Sequence, residues 1–429
     1  MSDTEISDFK VKEWDINKLR DRKIWIPNMC DSAYILSAVL RGKGYDSDVL
    51  PSSKDPLFSL GRKYTDGDQC LPSVITTEDI LQRVFSSDFK EDKEAFFQGK
   101  SDGPCRFGRY YMNQLGILFD LGKDNIPIFT LDSKNAYNGM GSDFKTMAWD
   151  GLVGQAMIER CLYFTRPFEV NSGESKFVYD YYLKKICDVL SQPKSKGDLS
   201  RKIDIALNRH KPELTSVLQS ATEYFSRIKK RDEKKPIVYV TGEIYVRSSN
   251  VANQNLIDKI EGLGGVALLE PTISFFSYTN EIKFREKREK SSRRIKDLKE
   301  LLKSYIDILV SVRDEKDISK IFEKYLGDFA HEPSAEEIIN LGTQYIHEKY
   351  HGEAIVSLGS SDYFSRKVNG IINTLPFNCM PGLVVSSKTN ELRAKNNNIS
   401  FLNLAYDGHF DPNRDEQLSV FMHHIKQRM

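Results

Sequence analysis

The six cysteines of this 429-residue chain include no close pair. They stand at positions 30, 70, 105, 161, 187 and 379, so the Cys-x-x-Cys spacing of a zinc ribbon or a ferredoxin-type loop is missing. The chain starts with polar and acidic residues, without an apolar leader, and we therefore expect no secretory disulfide framework. Any site that these cysteines share must be assembled by the fold from distant segments.

Charge of one sign and long apolar runs are also scarce. The formal net charge is +1, which gives no reason to expect binding to nucleic acid or to a membrane surface. No uninterrupted apolar run approaches the roughly 20 residues that span a bilayer. A basic run at 283–294 is interleaved with glutamates, which is typical of an exposed helix face. We predict a cytoplasmic protein with no nucleic-acid or membrane partner.

Common nucleotide and metal motifs are absent. The sequence has no Gly-x-x-x-x-Gly-Lys-Ser/Thr, and its seven histidines form no His-Glu-x-x-His. The run Gly262-Leu263-Gly264-Gly265 lacks the third glycine of a dinucleotide fingerprint and predicts a tight turn from a helix into a strand.

Short apolar runs alternate with helical patterns in two parts of the chain, which predicts an α/β fold with parallel sheets covered by helices on both faces. In the first part, strands are predicted at 24–26, 47–50, 95–97 and 126–131, with helices at 32–41 and 77–84. In the second part, strands are predicted at 237–240, 266–269, 354–358, 383–385 and 401–405. In such sheets, ligands gather beyond the carboxyl ends of the strands.

Three units are predicted from these patterns. The first is an α/β domain at 1–169 that contains Cys70 and Cys105. A helical segment at 170–232 follows and ends in a charged run, which suits a boundary. The second α/β domain, at 233–429, contains Cys379 and a charged helical insertion at about 281–350.

Three of the cysteines lie next to prolines: Gln69-Cys70-Leu71-Pro72, Gly103-Pro104-Cys105-Arg106 and Asn378-Cys379-Met380-Pro381. Proline removes a backbone donor and fixes φ, so none of these cysteines should lie within a helix or a central strand. A thiol on an irregular turn is placed to bind a ligand. Cys161 and Cys187, by contrast, lie in helical patterns and are interpreted as core residues.

Polar residues near these segments are candidates for substrate binding or for a supporting role. Arg106 and Arg109 flank Cys105, where positive charge favours the thiolate that metals bind. Glu243, Arg247 and Asn250 follow the best-defined strand. Glu243 and Arg247 are equally interpreted as ligand-binding residues or as a structural ion pair.

Several of these segments together resemble the 2-hydroxyacyl-CoA dehydratase family, and specifically the region after the ATPase modules of large CoA-substrate-specific enzyme activases. The similar motifs, which run through most of the chain, are Gly67-Asp68-Gln69-Cys70-Leu71-Pro72, Gly103-Pro104-Cys105-Arg106-Phe107-Gly108-Arg109-Tyr110, Thr165-Arg166-Pro167-Phe168-Glu169, Gly242-Glu243-Ile244-Tyr245-Val246-Arg247, Pro376-Phe377-Asn378-Cys379-Met380-Pro381-Gly382 and Ala405-Tyr406-Asp407-Gly408.

The resemblance implies two Rossmann- or flavodoxin-like domains with an iron–sulfur site between them. It implies that Cys70, Cys105 and Cys379 are the ligands of a 4Fe–4S cluster, with a double-cubane cluster as the alternative. Cys30 departs from the family pattern and is either a fourth ligand or a bystander. Since the chain has no ATPase motif, the expected partner is a separate ATP-dependent iron–sulfur activase, and an acyl-CoA is the candidate substrate.

Two functions from different classes follow from the resemblance. One is reductive or radical dehydration of a 2-hydroxyacyl-CoA, with low-potential electrons accepted from the activase, in anaerobic metabolism. The other is a non-catalytic role as an electron-transfer, scaffold or assembly subunit. A homo- or heterodimer is expected with either function. A metal-free α/β binding protein with buried cysteines is a third interpretation.

Overall fold

Two parallel β-sheets of four strands each organise the chain in the computed structural model, which describes residues 14–429 except 68, 102, 104, 132–139, 141–142, 194–197 and 291–294. Asp68 and Pro104, which belong to the motifs above, therefore lie outside the described residues. The first sheet contains β1 (Lys23–Ile26), β2 (Ser47–Val49), β3 (Glu94–Phe97) and β4 (Ile128–Phe129). The second contains β5 (Ile237–Gly242), β6 (Val266–Leu269), β7 (Gly370–Pro376) and β8 (Ser400–Tyr406). The predicted α/β class is confirmed.

Both sheets have the same strand order. It is β2-β1-β3-β4 in the first and β6-β5-β7-β8 in the second, with all pairs parallel. In each sheet the first strand in the chain pairs with the second on one side and the third on the other. Strand order therefore reverses between β1 and β3, and again between β5 and β7. Ligands of doubly wound sheets bind at such reversals.

Helices cover both faces of each sheet, as predicted. Those up to the end of the helical segment are α1 (Ser32–Gly42), α2 (Ser59–Tyr64), α3 (Leu71–Val84), α4 (Tyr110–Asp120), α5 (Phe144–Thr165), α6 (Glu174–Ser191), α7 (Asp198–Ala206) and α8 (Pro212–Arg227). Those of the second half are α9 (Ile244–Ser248), α10 (Leu256–Gly262), α11 (Thr272–Lys290), α12 (Ile295–Leu326), α13 (Ala335–Gly342), α14 (Glu353–Phe364), α15 (Met380–Lys395) and α16 (Pro412–Gln427). No helix among the described residues is both long and apolar enough to cross a bilayer.

The cores of the two halves are connected. One apolar cluster joins the first sheet to α1, α5, α6 and α8, and extends to Ile318 and Phe322 of α12. Another joins the second sheet to α10 and α16, and includes Leu71, Val74 and Ile75 of α3. The helix that begins after Cys70 thus packs against the second sheet as well as the first.

Two predicted strands of the second half are wrong. The segments 354–358 and 383–385 lie within α14 and α15, and the strand between them, β7, was not predicted. A short apolar run does not by itself distinguish a buried helix from a buried strand. The other predicted strands are confirmed, with 126–131 shortened to β4, and the turn at 262–265 connects α10 to β6.

Candidate functional site

Each of the three proline-adjacent cysteines directly precedes a helix. Cys70 precedes α3, Cys379 precedes α15, and Cys105 precedes a 3-10 turn at Arg106–Arg109. All three have extended backbone dihedrals, and a proline occupies the first turn of both α3 and α15. The prediction that these thiols lie outside helices and strands is confirmed. The positive end of a helix dipole favours a thiolate at such a position.

Strand order explains why these segments meet. Cys105 follows β3 and Cys379 follows β7, and each of these strands borders the reversal of its own sheet. Glu243 follows β5 on the other side of the second reversal. The Nη2 of Arg106 donates a hydrogen bond of 2.8 Å to the carbonyl of Asn378, which ties the Cys105 loop to the Cys379 loop.

The three thiols influence one another electrostatically. Burial, together with the neighbouring carboxylates and Cys70, raises the pKa of Cys105 to about 12. Burial likewise raises the pKa of Cys379, where Cys105 is among the groups that add to the effect. Burial also raises the pKa of Cys70. All three are free, and only Cys105 is partly exposed. The fold therefore places Cys105 close enough to Cys70 and Cys379 for these thiols to affect one another's pKa.

Spacing and donor type both bear on what these thiols could bind. Three sulfur ligands of one zinc ion would lie about 4 Å apart, given Zn–S bonds of about 2.3 Å. Among the described residues, the three sulfurs do not form a group whose atoms all lie within 4.8 Å of one another. That spacing does not suit a single shared ion. Thiolates of an iron–sulfur cluster bind different iron atoms and sit farther apart than the ligands of one ion, so a spacing beyond 4.8 Å is compatible with cluster ligands.

Glu243 faces all three cysteines. Its carboxylate raises the pKa of Cys70, Cys105 and Cys379, and burial raises the pKa of Glu243 itself. The side chain accepts hydrogen bonds from the backbone N–H groups of Tyr245 at 3.2 Å and Val246 at 2.8 Å, as the N-cap of α9. Glu243 therefore lies within electrostatic range of all three cysteines.

Arg247 belongs to a buried ion-pair network behind Glu243. Its side chain is 1% exposed, and Nη1 lies 3.2 Å from Glu353 and 3.4 Å from Glu270. It also donates to backbone carbonyls, including that of Glu270 at 2.9 Å. Of the two interpretations of Arg247, this geometry supports the structural ion pair, with Glu270 and Glu353 as its partners.

The other predicted polar residues, Arg106, Arg109 and Asn250, are more exposed than Glu243 and Arg247. Arg106 lowers the pKa of Cys70, but burial has the larger, opposite effect. Arg109 is exposed and contacts the Met112 sulfur at 3.6 Å. Asn250 lies in an exposed turn after α9. The flanking arginines were expected to lower the pKa of Cys105, but burial and the carboxylates of Glu353 and Glu243 raise it.

Sequence reasoning missed two residues of the site. The hydroxyl of Tyr110 is hydrogen-bonded to the Cys70 thiol, and its ring packs edge-on against Phe107 with centroids 5.4 Å apart. Glu353 begins α14 and raises the pKa of both Cys105 and Cys379. Tyr110 is the last residue of the sequence motif around Cys105, so the sequence could have indicated it as a residue of the site. Glu353 was not predicted as a site residue because the segment 354–358, which lies within α14, was predicted to be a strand.

Cys30 has different neighbours. It has a left-handed backbone with φ of 63°, and its sulfur lies 2.8 Å from the Ser32 hydroxyl. Burial raises its pKa to about 12, and Glu159 and Asp31 add to the shift. Cys30 lines a small cavity together with Glu270 and Thr272 of the second half. These contacts support the bystander interpretation of Cys30.

One other group of side chains has metal-ligand spacing. Ligand atoms of Asp150, His210 and Asp314 lie within 4.8 Å of one another. However, the Lys211 ammonium lies 2.5 Å from one Asp314 oxygen, and Arg313 lies 2.9 Å from the same oxygen. Since these cations already balance the carboxylates, the group is better described as a buried ion-pair network between α5, α12 and the start of α8.

Comparison of the chain with protein-family models and with curated proteins gives no match.

Proposed function

We propose that this chain is an iron–sulfur protein of the 2-hydroxyacyl-CoA dehydratase type, with Cys70, Cys105 and Cys379 holding a 4Fe–4S cluster. The observation that supports the proposal is the convergence of three thiols from two sheets, each at a helix start and each facing Glu243. When bound, such a cluster supplies low-potential electron transfer and, with only three cysteine ligands, an iron that is open to substrate. A separate ATP-dependent iron–sulfur activase would deliver the electrons.

The chain's own residues would hold and shield the site. Tyr110 is hydrogen-bonded to the Cys70 sulfur, and Arg106 links the two loops that contribute the other ligands. Cys70 and Cys379 are only 6% and 7% exposed, so the site excludes most water. Hydrogen bonds and limited solvent access are the features by which a protein tunes a cluster's reduction potential.

The same burial supports the second candidate, an electron-transfer or scaffold subunit. A cavity of about 340 Å³ lies at the amino-terminal edge of the first sheet, lined by Lys23 and Glu94 at the starts of β1 and β3. The cysteines lie at the opposite edge, so this cavity does not serve them. Cys105, the partly exposed member of the three, is the point at which a substrate would reach the site.

Cysteine variants test the cluster proposal. The protein is expressed and purified without oxygen, and iron, sulfide and the electron paramagnetic resonance spectrum of the reduced form are measured. Cys70→Ala, Cys105→Ala and Cys379→Ala should each lose most of the iron and sulfide. Cys161→Ala and Cys187→Ala, in the core of the first half, are matched controls and should keep both.

Two outcomes are decisive. Wild-type protein that contains neither iron nor sulfide, despite expression with cluster-assembly capacity, would overturn the proposal. Cys30→Ala should leave the spectrum unchanged, and a changed spectrum would rule out the three-cysteine version. Addition of a 2-hydroxyacyl-CoA to the reduced protein then separates the two candidates, because only an open iron should give a shifted signal.

A further inference from the structure

Helix α12 has a stripe of exposed apolar side chains between residues 298 and 312. They are Leu298, Leu302, Tyr305, Leu309 and Val312, at successive spacings of four, three, four and three residues, with Ile306 beside them. All six are between 41% and 58% exposed. We call these six residues the α12 stripe. Large apolar side chains in water at so regular a spacing require an explanation.

The rest of α12 is firmly packed. Ile318, Phe322 and Leu326 in its second half are buried in the core of the first half of the chain. Closer to the stripe, the Trp149 indole donates a 3.0 Å hydrogen bond to the Ser311 carbonyl. Phe284 of α11 lies against Tyr305 with ring centroids 5.7 Å apart. The helix is thus held by α5 and α11, and Tyr305 contacts α11, while about half of the surface of each stripe side chain stays exposed.

The spacing of the stripe identifies the kind of surface that would cover it. Alternating steps of four and three give a period of 3.5 residues, which keeps a seam in line when two helices wind around each other. A helix that covers a globular core has a wider stripe with a period near 3.6. The α12 stripe therefore fits another helix with the same period.

The stripe is large enough for a stable dimer. From the exposed fractions, the six side chains present on the order of 600 Å² of surface, at the upper end of the 300–600 Å² patch found on ordinary monomers. Packing two such stripes together would bury about 1,200 Å², which reaches the lower limit of standard protein interfaces. The stems of Lys299 and Lys303, both exposed beside the stripe, would add to that area.

We propose that two copies of this chain associate through their α12 stripes, packed on each other about a twofold axis beside Tyr305. A second copy of the chain has a stripe with the same period and the same area. In an isologous contact, the same surface patch of each copy forms the interface. Tyr305 is the middle residue of the five seam positions, so it faces its own copy whether the two helices run parallel or antiparallel. This interface is independent of the function proposed for the cysteines.

Sedimentation measurements test the dimer. The full chain should sediment at twice its mass of 49.3 kDa at micromolar concentration. The double variant Leu302→Glu with Leu309→Glu should weaken the dimer by on the order of 100-fold, because it places charges in the centre of the seam. The control is Val420→Glu, at a residue of α16 that is 63% exposed and outside the stripe, and it should leave the dimer intact.

Disulfide trapping tests the same contact at residue level. Tyr305→Cys should form a disulfide-linked dimer under mild oxidation, and the wild type should not. Leu298→Cys should link to itself only if the helices are parallel, and should link to Val312→Cys in a mixed sample only if they are antiparallel. A monomeric wild type, or a dimer that persists in the double glutamate variant, would overturn the proposal. The circular dichroism of each variant checks that the fold is unchanged.

Discussion

His210 lies between two buried carboxylates that belong to different helices. Its Nε2 is 3.0 Å from Asp150 of α5 and 3.3 Å from Asp314 of α12. Burial lowers the pKa of His210, but the hydrogen bonds and charges of the two aspartates outweigh it and raise the pKa above its usual value of 6.5. Lys211 and Arg313 face the same group. The imidazolium form therefore stabilises the junction of the two helices.

We predict a pH-dependent stability contribution from His210. Because its folded-state pKa is raised, the contribution is complete below the unfolded value of about 6.5 and is lost as pH rises through the folded-state pKa. Chemical unfolding of His210→Gln should show a loss of about 2 kcal/mol at pH 6 that shrinks as the pH increases. His331→Gln, at a histidine 42% exposed, is the control and should cost little at any pH. A loss that is the same at every pH would contradict this assignment.

At the scale of single elements, the junction of β5 and α9 is geometrically demanding. Gly242 has a φ of +109°, and a Cβ at this position would lie 2.0 Å from the carbonyl of Thr374 on β7. The glycine therefore allows β5 to approach β7 closely while the chain turns to place Glu243. A side chain here would disturb both the sheet and the cysteine site.

Gly242→Ala should consequently destabilise the fold by about 3 kcal/mol or more, since it combines an unfavourable φ with a clash against backbone. Urea unfolding followed by circular dichroism measures the effect. Gly262→Ala is the control, because a Cβ there meets nothing within 4 Å. That variant should be neutral or slightly stabilising at the end of α10. Equal effects of the two substitutions would disprove the role of Gly242.

The success of prediction at this scale depended on how clearly each element shows its periodicity. β5 and β6 are short, apolar and bounded by turns, and were predicted correctly. α14 is buried around nearly its whole surface, so it lacks the polar face that reveals a helix. β7 contains Asn373 and Thr374, both buried, which bond to Asn403 at 2.8 Å and to the Thr241 carbonyl at 3.1 Å. Because these polar residues form their hydrogen bonds inside the sheet, β7 lacks the continuous apolar run from which a buried strand is predicted.

The candidate site was predictable in part for a related reason. Prolines mark the turns that hold the three cysteines, so local sequence was sufficient to select them. The contact of Tyr110 with Cys70 and the approach of Glu353 depend on how separate elements pack. No local pattern encodes such distances, and the sequence could not supply these partners.

At the scale of the whole molecule, the two halves are joined beside the cysteines and also away from them. Arg106 bonds to the Asn378 carbonyl near the site. At a second point, Arg166 donates to Glu261 at 2.7 and 3.0 Å. If the contact between Arg106 and Asn378 opened, the buried thiol of the neighbouring Cys379 would become exposed.

Arg106→Ala should therefore increase the reactivity of Cys379 in the metal-free protein. Buried thiols react when a segment opens, and loss of the link between the loops should make opening more frequent. We expect alkylation of Cys379 to be severalfold faster than in the wild type, as measured by peptide mass spectrometry over time. Arg109→Ala, three residues along on the same exposed turn, is the control. Unchanged rates in Arg106→Ala would show that the link does not restrict access.

The shared strand order of the two sheets also has a consequence for synthesis on the ribosome. In each sheet the third strand inserts beside the first, and β7 follows β5 by more than a hundred residues. Since Cys379 is synthesised well after Cys70 and Cys105, a growing chain contains the two earlier cysteines before Cys379 has been added. Under the proposed function, a carrier that delivers metal to the nascent protein too early would meet an incomplete set of ligands.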